Sequence, residues 1–239
     1  MSKMSEAVDL LGESGELDER PLAAAGAVAR ERVLCARLAN FKVDVARLRE
    51  HFEQQVKRVE PTPYRDNRVD YLGWAVTSRD GSIDDGVKRI PTKGASGKTA
   101  DGKGNKRGVT RTPICTGYLA EVIDQLQELD LAPYRARFML LESEGELMPF
   151  HTDAAREAWR LHIPLVTNPE ALFEWQLPAG GVESVHLPAD GSAWLVRVDI
   201  RHRAINLNGA AGGRVHLLMG LGKPPAGEQL AAPHRVLPA

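Results

Sequence analysis

The sequence predicts a mainly β fold with flanking helices. From residue 134 onward, short runs rich in Val, Ile, Leu, Phe and Trp alternate with turn signals such as Asn168-Pro169, Gly180-Gly181 and Asp190-Gly191. About eight short strands at this spacing are typical of a β-sandwich or a barrel. The runs are YRARFMLLES, LMPFH, RLHIPLVT, ALFEWQL, ESVHLPA, SAWLVRV, HRAINL and RVHLLMGL.

The N-terminal part of the chain predicts helices. Residues 1–20 are polar, and we expect them to form a flexible N-terminus. Residues 21–59 carry apolar side chains at helical spacing, which predicts one long amphipathic helix or two shorter ones. Pro61 and Pro63 end this segment. The apolar stripe consists of Leu34, Leu38, Phe41, Val45, Leu48 and Phe52.

The middle of the chain predicts a strand over 69–76, a turn at Asp80-Gly81 and a helix over 117–130. Between them, residues 88–111 hold many Lys and Arg among glycines, with Asp101 as the only acid. A loop of this length is often an active-site lid, although a solvated flexible loop is the simpler interpretation. We expect one domain over 21–222, with N-terminal helices, and a flexible tail over 223–239.

Composition and charge exclude several classes of protein. Hydrophobic residues make up 43% of the 239 residues, enough for a sizeable core. The net charge of −1 gives no overall field that would favour nucleic acid or a membrane surface as a partner. Cys35 and Cys115 lie far apart in sequence and are expected to be free thiols. With an acidic start unlike a signal peptide and no long apolar run, we expect a cytoplasmic protein.

A candidate metal site lies at His151-Thr152-Asp153, with His202 about fifty residues further on. Residues i and i+2 of a strand face the same way, so His151 and Asp153 can reach one ion. Two histidines and one carboxylate with open positions are typical of non-haem Fe(II) oxygenases. His51 and Glu53 share this spacing but lie in a helical pattern, where they would point apart. From spacing alone, a loop histidine beside a capping aspartate is an equal alternative.

Two segments resemble the aspartyl/asparaginyl β-hydroxylase family of Fe(II)/2-oxoglutarate-dependent dioxygenases. They are GELMPFHTDAAREAWRLHIPLVTNP and GSAWLVRVDIRHRAINLNGAAGGRVHLLMGL, and the resemblance spans residues 60–222. It implies a double-stranded β-helix, that is, a cupin-like jelly roll. It also implies Fe(II) ligands at His151, Asp153 and His202. Further roles implied are a clamp on the far carboxylate of 2-oxoglutarate (Arg214), a contact to the end of 2-oxoglutarate near the metal (His162) and a contact to a carboxylate of co-substrate or substrate (Arg160).

The implied reaction consumes O2 and 2-oxoglutarate, yields succinate and CO2, and hydroxylates an amino acid or an amino-acid-derived substrate. The acid at Asp153 favours hydroxylation over halogenation, because a halogenating centre needs that position for the halide. By the same resemblance, Tyr71 and Trp74 are candidates for lining the substrate pocket, with buried aromatic packing as an alternative of at least equal weight. His216 shares a strand face with Arg214. Alternatives are a peptide- or protein-directed hydroxylase and a cupin-like metal-binding barrel without oxygenase activity. Arg214 separates the last of these, since a non-oxygenase needs no carboxylate clamp.

Overall fold

The computed structural model describes residues 33–65, 68–85, 87, 108–142, 146–153, 158–207 and 213–236. The predicted flexible N-terminus and residues 88–107 of the predicted basic loop lie outside these ranges.

Within these ranges the protein has fourteen strands and a small helical layer. The strands are β1 Val33–Lys42, β2 Thr62–Arg65, β3 Arg68–Ala75, β4 Thr77–Ser78, β5 Thr110–Arg111, β6 Pro133–Leu141, β7 Glu146–Leu147, β8 Trp159–Val166, β9 Ala171–Gln176, β10 Val182–His186, β11 Ser192–Arg197, β12 His202–Asn206, β13 Arg214–Leu221 and β14 Leu230–Val236. The helices are α1 Val45–His51, continued by a π-helix at Phe52–Val56, and α2 Gly117–Glu128, with a 3-10 turn at Gly227–Gln229.

The strands form two main antiparallel sheets. The major sheet has the order β14-β1-β11-β8-β13-β6-β3-β2, and the minor sheet has the order β10-β9-β12-β7. From β6 to β13 the chain passes repeatedly from one sheet to the other, as in a jelly roll. Phe173 and Trp175 of the minor sheet pack with Trp194 and Val196 of the major sheet, so the two sheets face each other. The predicted mainly β fold, a double-stranded β-helix, is confirmed.

Seven of the eight strand-like runs of the sequence correspond to β6 and to β8 through β13, while the run LMPFH overlaps β7 only at Leu147. The strand predicted over 69–76 is β3, and the helix predicted over 117–130 is α2. Gly81 adopts a positive φ of 87° in the turn after β4, a conformation that glycine adopts without strain. These local patterns are reliable because each segment buries one face or lies between clear turn signals.

The helical layer covers the outer face of the major sheet. Leu48 of α1 and Leu119, Val122 and Leu126 of α2 are fully buried there, in one cluster with the outward-facing side chains of the sheet. The Asp44 carboxylate caps α1 by accepting hydrogen bonds from the backbone N–H groups of the first turn. The helix prediction is therefore right for residues 45–56.

The helix prediction is wrong for residues 33–42, which form β1. This strand lies between β11 and β14 in the major sheet, with Leu34 packed between the sheets and Ala36 and Leu38 packed on the helical side. Because both faces are buried and the pairing contains β-bulges, no alternation of apolar and polar residues is visible. The long-range pairing overrides the helical spacing of the sequence.

The predicted flexible tail over 223–239 is also corrected. Leu230–Val236 forms β14, which pairs with β1 and closes that edge of the major sheet. Pro233 interrupts this run, and proline is tolerated in edge strands because one row of their N–H groups has no partner strand. The proline in this short segment makes the sequence predict a flexible tail, whereas the segment forms a strand.

The two cysteines are free thiols and are buried, as predicted. None of the helices in the described ranges has the length and apolar character that crossing a bilayer would require.

Candidate metal centre and its pocket

His151, Asp153 and His202 come together at the edge of the minor sheet. His151 and His202 face each other across an isolated antiparallel bridge, and each backbone N–H donates to the other residue's carbonyl, at 3.0 and 2.8 Å. Their rings lie on the same side, with centroids 4.5 Å apart. One potential ligand atom from each of the three residues lies within 4.8 Å of the others. The predicted metal triad is thus a spatial cluster.

Both histidines present the same ring nitrogen to this cluster. The Nδ1 atom of His151 lies 3.0 Å from the carbonyl oxygen of Pro149, and Nδ1 of His202 lies 2.9 Å from that of Ile200. A carbonyl oxygen can only accept, so each Nδ1 carries the proton and donates. Each Nε2 therefore keeps its lone pair for a metal, which is how metal-binding histidines are usually oriented.

The charges of the cluster also suit a divalent cation. Burial acts to raise the pKa of Asp153, but the positive charge of the nearby Arg160, with smaller electrostatic contributions from other neighbours, outweighs it, and the pKa lies below its ordinary value. Burial and the neighbouring His151 lower the pKa of His202 to about 4. At neutral pH, Asp153 is a carboxylate and His202 is a neutral imidazole, which are the forms that bind Fe(II).

Arg160 forms an ion pair with Asp153. Its strand, β8, runs through the middle of the major sheet, so the guanidinium bridges the metal cluster and the pocket behind it. The sequence assigns Arg160 to a carboxylate of co-substrate or substrate. In this structure, the carboxylate that Arg160 contacts is that of a metal-ligand candidate.

A pocket opens beside the cluster, between the two sheets. Its lining combines a few apolar side chains with an unusual number of basic ones. The lining residues are Tyr64, Tyr71, Arg137, Met148, His151, Asp153, Arg160, His162, Phe173, Val198, His202, Ala204, Arg214 and Leu218.

Arg214, His162 and His216 form a buried polar group in the interior. Nη2 of Arg214 lies 3.0 Å from Nδ1 of His216, and Nδ1 of His162 lies 3.4 Å from the same atom. Because the guanidinium can only donate, Nδ1 of His216 accepts. Burial lowers the pKa of both histidines well below the ordinary value, so both are neutral. His216 thus joins Arg214, as the shared strand face predicts.

This group leaves polar atoms without partners. Nε of Arg214 and Nε2 of both His162 and His216 are buried and have no hydrogen-bond partner within the described residues. Burial lowers the pKa of Arg214 to about 10, which still leaves it charged at neutral pH. A buried cation with unsatisfied donors is costly unless an anion binds there. The arrangement therefore fits a carboxylate ligand.

Tyr71 and Trp74 lie on opposite faces of β3, because an odd separation along a strand reverses the direction of the side chain. Tyr71 lines the pocket and packs against Tyr64 at 5.0 Å between ring centroids. The Trp74 indole N–H instead donates to Val59 O at 2.7 Å, and its ring packs on Phe52 at 5.3 Å. The prediction that Trp74 contacts substrate is wrong, since its face belongs to the helical side.

Sequence reasoning missed Arg137 and Tyr64, which both line the pocket. A signal for Arg137 exists, because it is a charged residue directly before the apolar run Phe138–Leu141 of the same strand. His51 and Glu53, which share the spacing of the metal motif, are helical as predicted. His51 ends α1, and its Nε2 lies 3.1 Å from the carbonyl oxygen of Ile114.

Asn168 and Asn206 fix the strand that carries His202. The Asn168 amide donates to Asn206 Oδ1 at 2.9 Å, and the Asn206 amide donates to Leu141 O at 3.3 Å. Asn206 is fully buried at the end of β12. The pair therefore ties β12 to β6 of the major sheet and to the turn after β8.

Comparison with known proteins gives a structural likeness only. No family model matches the sequence, and no curated protein matches it. A structure described as an oxidoreductase of the 2OG-Fe(II) oxygenase family, from Burkholderia pseudomallei, matches with a TM-score of 0.58 and 14% identity. That match covers 93% of this chain and 100% of the other. A prolyl-4-hydroxylase from Pseudomonas putida matches with a TM-score of 0.45 and 16% identity, over 79% of this chain and 92% of the other. The first likeness shows a shared fold.

Proposed function

We propose that this protein is an Fe(II)/2-oxoglutarate-dependent dioxygenase that hydroxylates an amino acid or an amino-acid-derived substrate. The observation that carries the proposal is one pocket with two parts. At its mouth lie His151, Asp153 and His202 with ligand atoms within 4.8 Å of one another, and in its lining lies the buried Arg214. A metal-binding barrel without oxygenase activity has no use for the arginine.

In this proposal the two imidazole Nε2 atoms and the Asp153 carboxylate hold Fe(II), leaving its remaining positions for small ligands. When bound, the iron supplies the oxygen-dependent chemistry that converts 2-oxoglutarate to succinate and CO2 and oxidises a C–H bond. The carbonyls of Pro149 and Ile200 keep both rings in the tautomer that can bind metal.

Arg214 would bind the far carboxylate of 2-oxoglutarate, since its planar guanidinium matches a carboxylate with paired hydrogen bonds. His216 accepts from Arg214 and so fixes the direction of the guanidinium. His162 lines the same pocket as Arg214 and the metal cluster, and it would contact the co-substrate near the metal. Its burial keeps it neutral, so it can donate or accept without adding charge.

Asp153 would have a second role in selecting the reaction outcome. With a carboxylate in this position, no site at the iron is reserved for a halide, and hydroxylation is the expected result. Arg160 pairs with this carboxylate and holds it ionised. Arg160 would therefore position Asp153 and also contact a carboxylate of the co-substrate or the substrate.

The test follows succinate production by purified protein supplied with Fe(II), ascorbate and 2-oxoglutarate. We expect the His151→Ala variant to lose succinate production. The matched control is His51→Ala, which removes the other histidine of the same sequence pattern from α1 and should leave the rate unchanged. Equal succinate from wild type and His151→Ala would exclude the proposal.

A second measurement separates the oxygenase from a simple metal-binding barrel. Adding 2-oxoglutarate to the Fe(II)-loaded protein without oxygen should produce a charge-transfer absorption band, because the co-substrate chelates the metal. If the protein binds Fe(II) but gives no such band, it is a metal-binding barrel without oxygenase activity. The amino-acid class of the substrate then requires a screen of amino acids and short peptides for a mass gain of one oxygen.

A further inference from the structure

The pocket contains more positive charge than 2-oxoglutarate and the metal ligands account for. Three guanidinium groups line it, those of Arg137, Arg160 and Arg214, against a single described carboxylate, that of Asp153. Arg160 is paired with Asp153. In the proposed function, Arg214 takes one carboxylate of 2-oxoglutarate and the metal takes the other. No ligand in the proposed function is then assigned to Arg137.

Arg137 is buried, and among the described residues no carboxylate pairs directly with it. Its side chain is 4% exposed, and its one described hydrogen bond runs from Nη1 to the carbonyl oxygen of Arg135, at 3.0 Å. Its Nε atom is buried and has no partner, and no acidic side chain in the described ranges forms an ion pair with it. A buried, uncompensated charge opposes folding, so a fold that keeps one at a pocket wall is suited to binding an anion there.

Strand pairing places Arg137 on the interior face. Arg137 of β6 pairs with Leu218 of β13, and Leu218 pairs with His162 of β8, so all three side chains share one row facing the minor sheet. Tyr64 and Tyr71 lie beside it and interact with it electrostatically. Arg137 therefore opens into the pocket on the side away from the central strand that carries Arg160.

Arg137 is charged under ordinary conditions. Burial, reinforced by the charges of Arg135 and Arg160, lowers its pKa to about 9. It therefore remains protonated at neutral pH. The two flanking phenols supply further hydrogen-bond donors to a negatively charged ligand, while Phe173 and Leu218 leave part of the wall apolar.

We infer that Arg137 binds a carboxylate of the substrate and thereby selects anionic over neutral substrates. This inference rests on the proposed function, because it assigns Arg214 and the metal to 2-oxoglutarate. The carboxylate has two possible sources, the α-carboxylate of a free amino acid and the side-chain carboxylate of an aspartyl or glutamyl residue. The planar guanidinium fits either by paired hydrogen bonds.

The experiment measures binding to the protein loaded with Fe(II) and 2-oxoglutarate in the absence of oxygen. The probes are the common amino acids and their α-amides, and N-acetylated aspartate and glutamate amides paired with those of asparagine and glutamine. We expect at least one acid to bind about tenfold or more tightly than its neutral partner, as for other hydrogen bonds to charged groups. The pair that differs identifies the source of the carboxylate.

The variants are Arg137→Gln and Arg137→Lys, with Arg49→Gln as the matched control. Arg49 also donates to a backbone carbonyl, from Nε to Leu165 O at 3.2 Å, but it lies in α1 outside the pocket. Arg137→Gln should abolish the preference for the acid, Arg137→Lys should retain part of it, and Arg49→Gln should retain all of it. The dissociation constant for 2-oxoglutarate should stay unchanged in Arg49→Gln, and in the two Arg137 variants it should change less than the dissociation constant for the acid does.

Three outcomes would overturn the inference. They are that no acid binds more tightly than its neutral partner, that the preference survives in Arg137→Gln, or that Arg137→Gln weakens 2-oxoglutarate instead. Uncoupled succinate production by the wild type, measured in parallel, reports on the proposed function separately. If the wild type produces succinate and any of these outcomes is found, the proposed oxygenase function is retained and only the proposed role of Arg137 is rejected.

Discussion

The two faces of β13 are equally buried but chemically opposite. Val215, Leu217 and Met219 point to the helical side and join the large apolar cluster. Arg214 and His216 point between the sheets, where their hydrogen bonds are incomplete. Burial alone thus does not separate structural from functional positions in this fold. What separates them is whether the buried groups satisfy one another.

This difference divides stability from binding within single strands. The helical side follows ordinary core physics, with close packing and no charge. The interior side keeps cations and neutral histidines that would be more favourable in water or as apolar residues. We therefore expect substitutions on the helical side to change unfolding and substitutions on the interior side to change ligand affinity.

The largest effect is expected from removing a metal ligand. His202→Ala should lower Fe(II) affinity and succinate production by more than about 100-fold, the upper end of what outer-shell changes at metal sites cost. Metal content after dialysis and the rate of succinate formation measure it. His186→Ala in β10, whose Nδ1 lies 3.3 Å from Ala171 O, is the control and should keep its iron. Iron retained at wild-type affinity by His202→Ala would place the metal elsewhere.

Leu217→Ala tests the helical face of β13. Leu217 is fully buried, so the truncation should lower the free energy of unfolding by about 3 kcal/mol. Urea denaturation measures this loss. The dissociation constant for 2-oxoglutarate should stay the same below the unfolding transition. A clear loss of co-substrate affinity would mean that the two faces are not independent.

Arg214→Met tests the opposite face of the same strand. Loss of the guanidinium should weaken 2-oxoglutarate by about 2 kcal/mol or more, roughly 30-fold, as for other charge pairs in which one partner is removed. The free energy of unfolding should stay the same or increase, since an apolar residue replaces a buried charge that has no counter-charge. Titration of 2-oxoglutarate and urea denaturation, run side by side, check both parts. A destabilised variant with normal affinity would reverse the assignment.

The smallest effects come from β3, whose two faces carry Tyr71 and Trp74. Trp74→Phe removes the hydrogen bond to Val59 O and should cost about 1 kcal/mol of unfolding free energy, with ligand binding unchanged. Tyr71→Phe should alter unfolding by less than about 0.5 kcal/mol and instead raise the KM for substrate. Thermal denaturation and steady-state kinetics distinguish them. Equal kinetic effects from both variants would contradict the separation of faces.

Much of the fold could be predicted because most strands from β6 to β13 are visible in the sequence as apolar runs bounded by turn residues. The metal cluster could be predicted because His151 and Asp153 share a strand face by local geometry. Its partner His202 needed the resemblance, since no local rule links positions about fifty residues apart. β1 escaped prediction because both of its faces are buried, and β14 because its partner strand lies far away in sequence.

The resemblance points to both Tyr71 and Trp74 because it places the segments before the metal motif near the iron, and it does not distinguish the two faces of a strand. Counting residues along β3 separates the two. Arg137 could not have been placed from sequence, since its position in the pocket depends on the pairing of β6 with β13 and of β13 with β8. Strand order is a property of the whole chain.

In the proposed function, the bridge between His151 and His202 would also couple iron binding to the edge of the minor sheet. The two residues exchange both of their backbone hydrogen bonds, and β7 beyond them pairs with β12 through only two further positions. An ion bound by both rings would stabilise the conformation in which these backbone hydrogen bonds are formed over one in which they are broken. By mass action, the stabilisation would grow with the fraction of protein that has the ion bound. The amide protons of His151 and His202 should therefore exchange with solvent more slowly as iron is added, making the backbone itself a gauge of the metal.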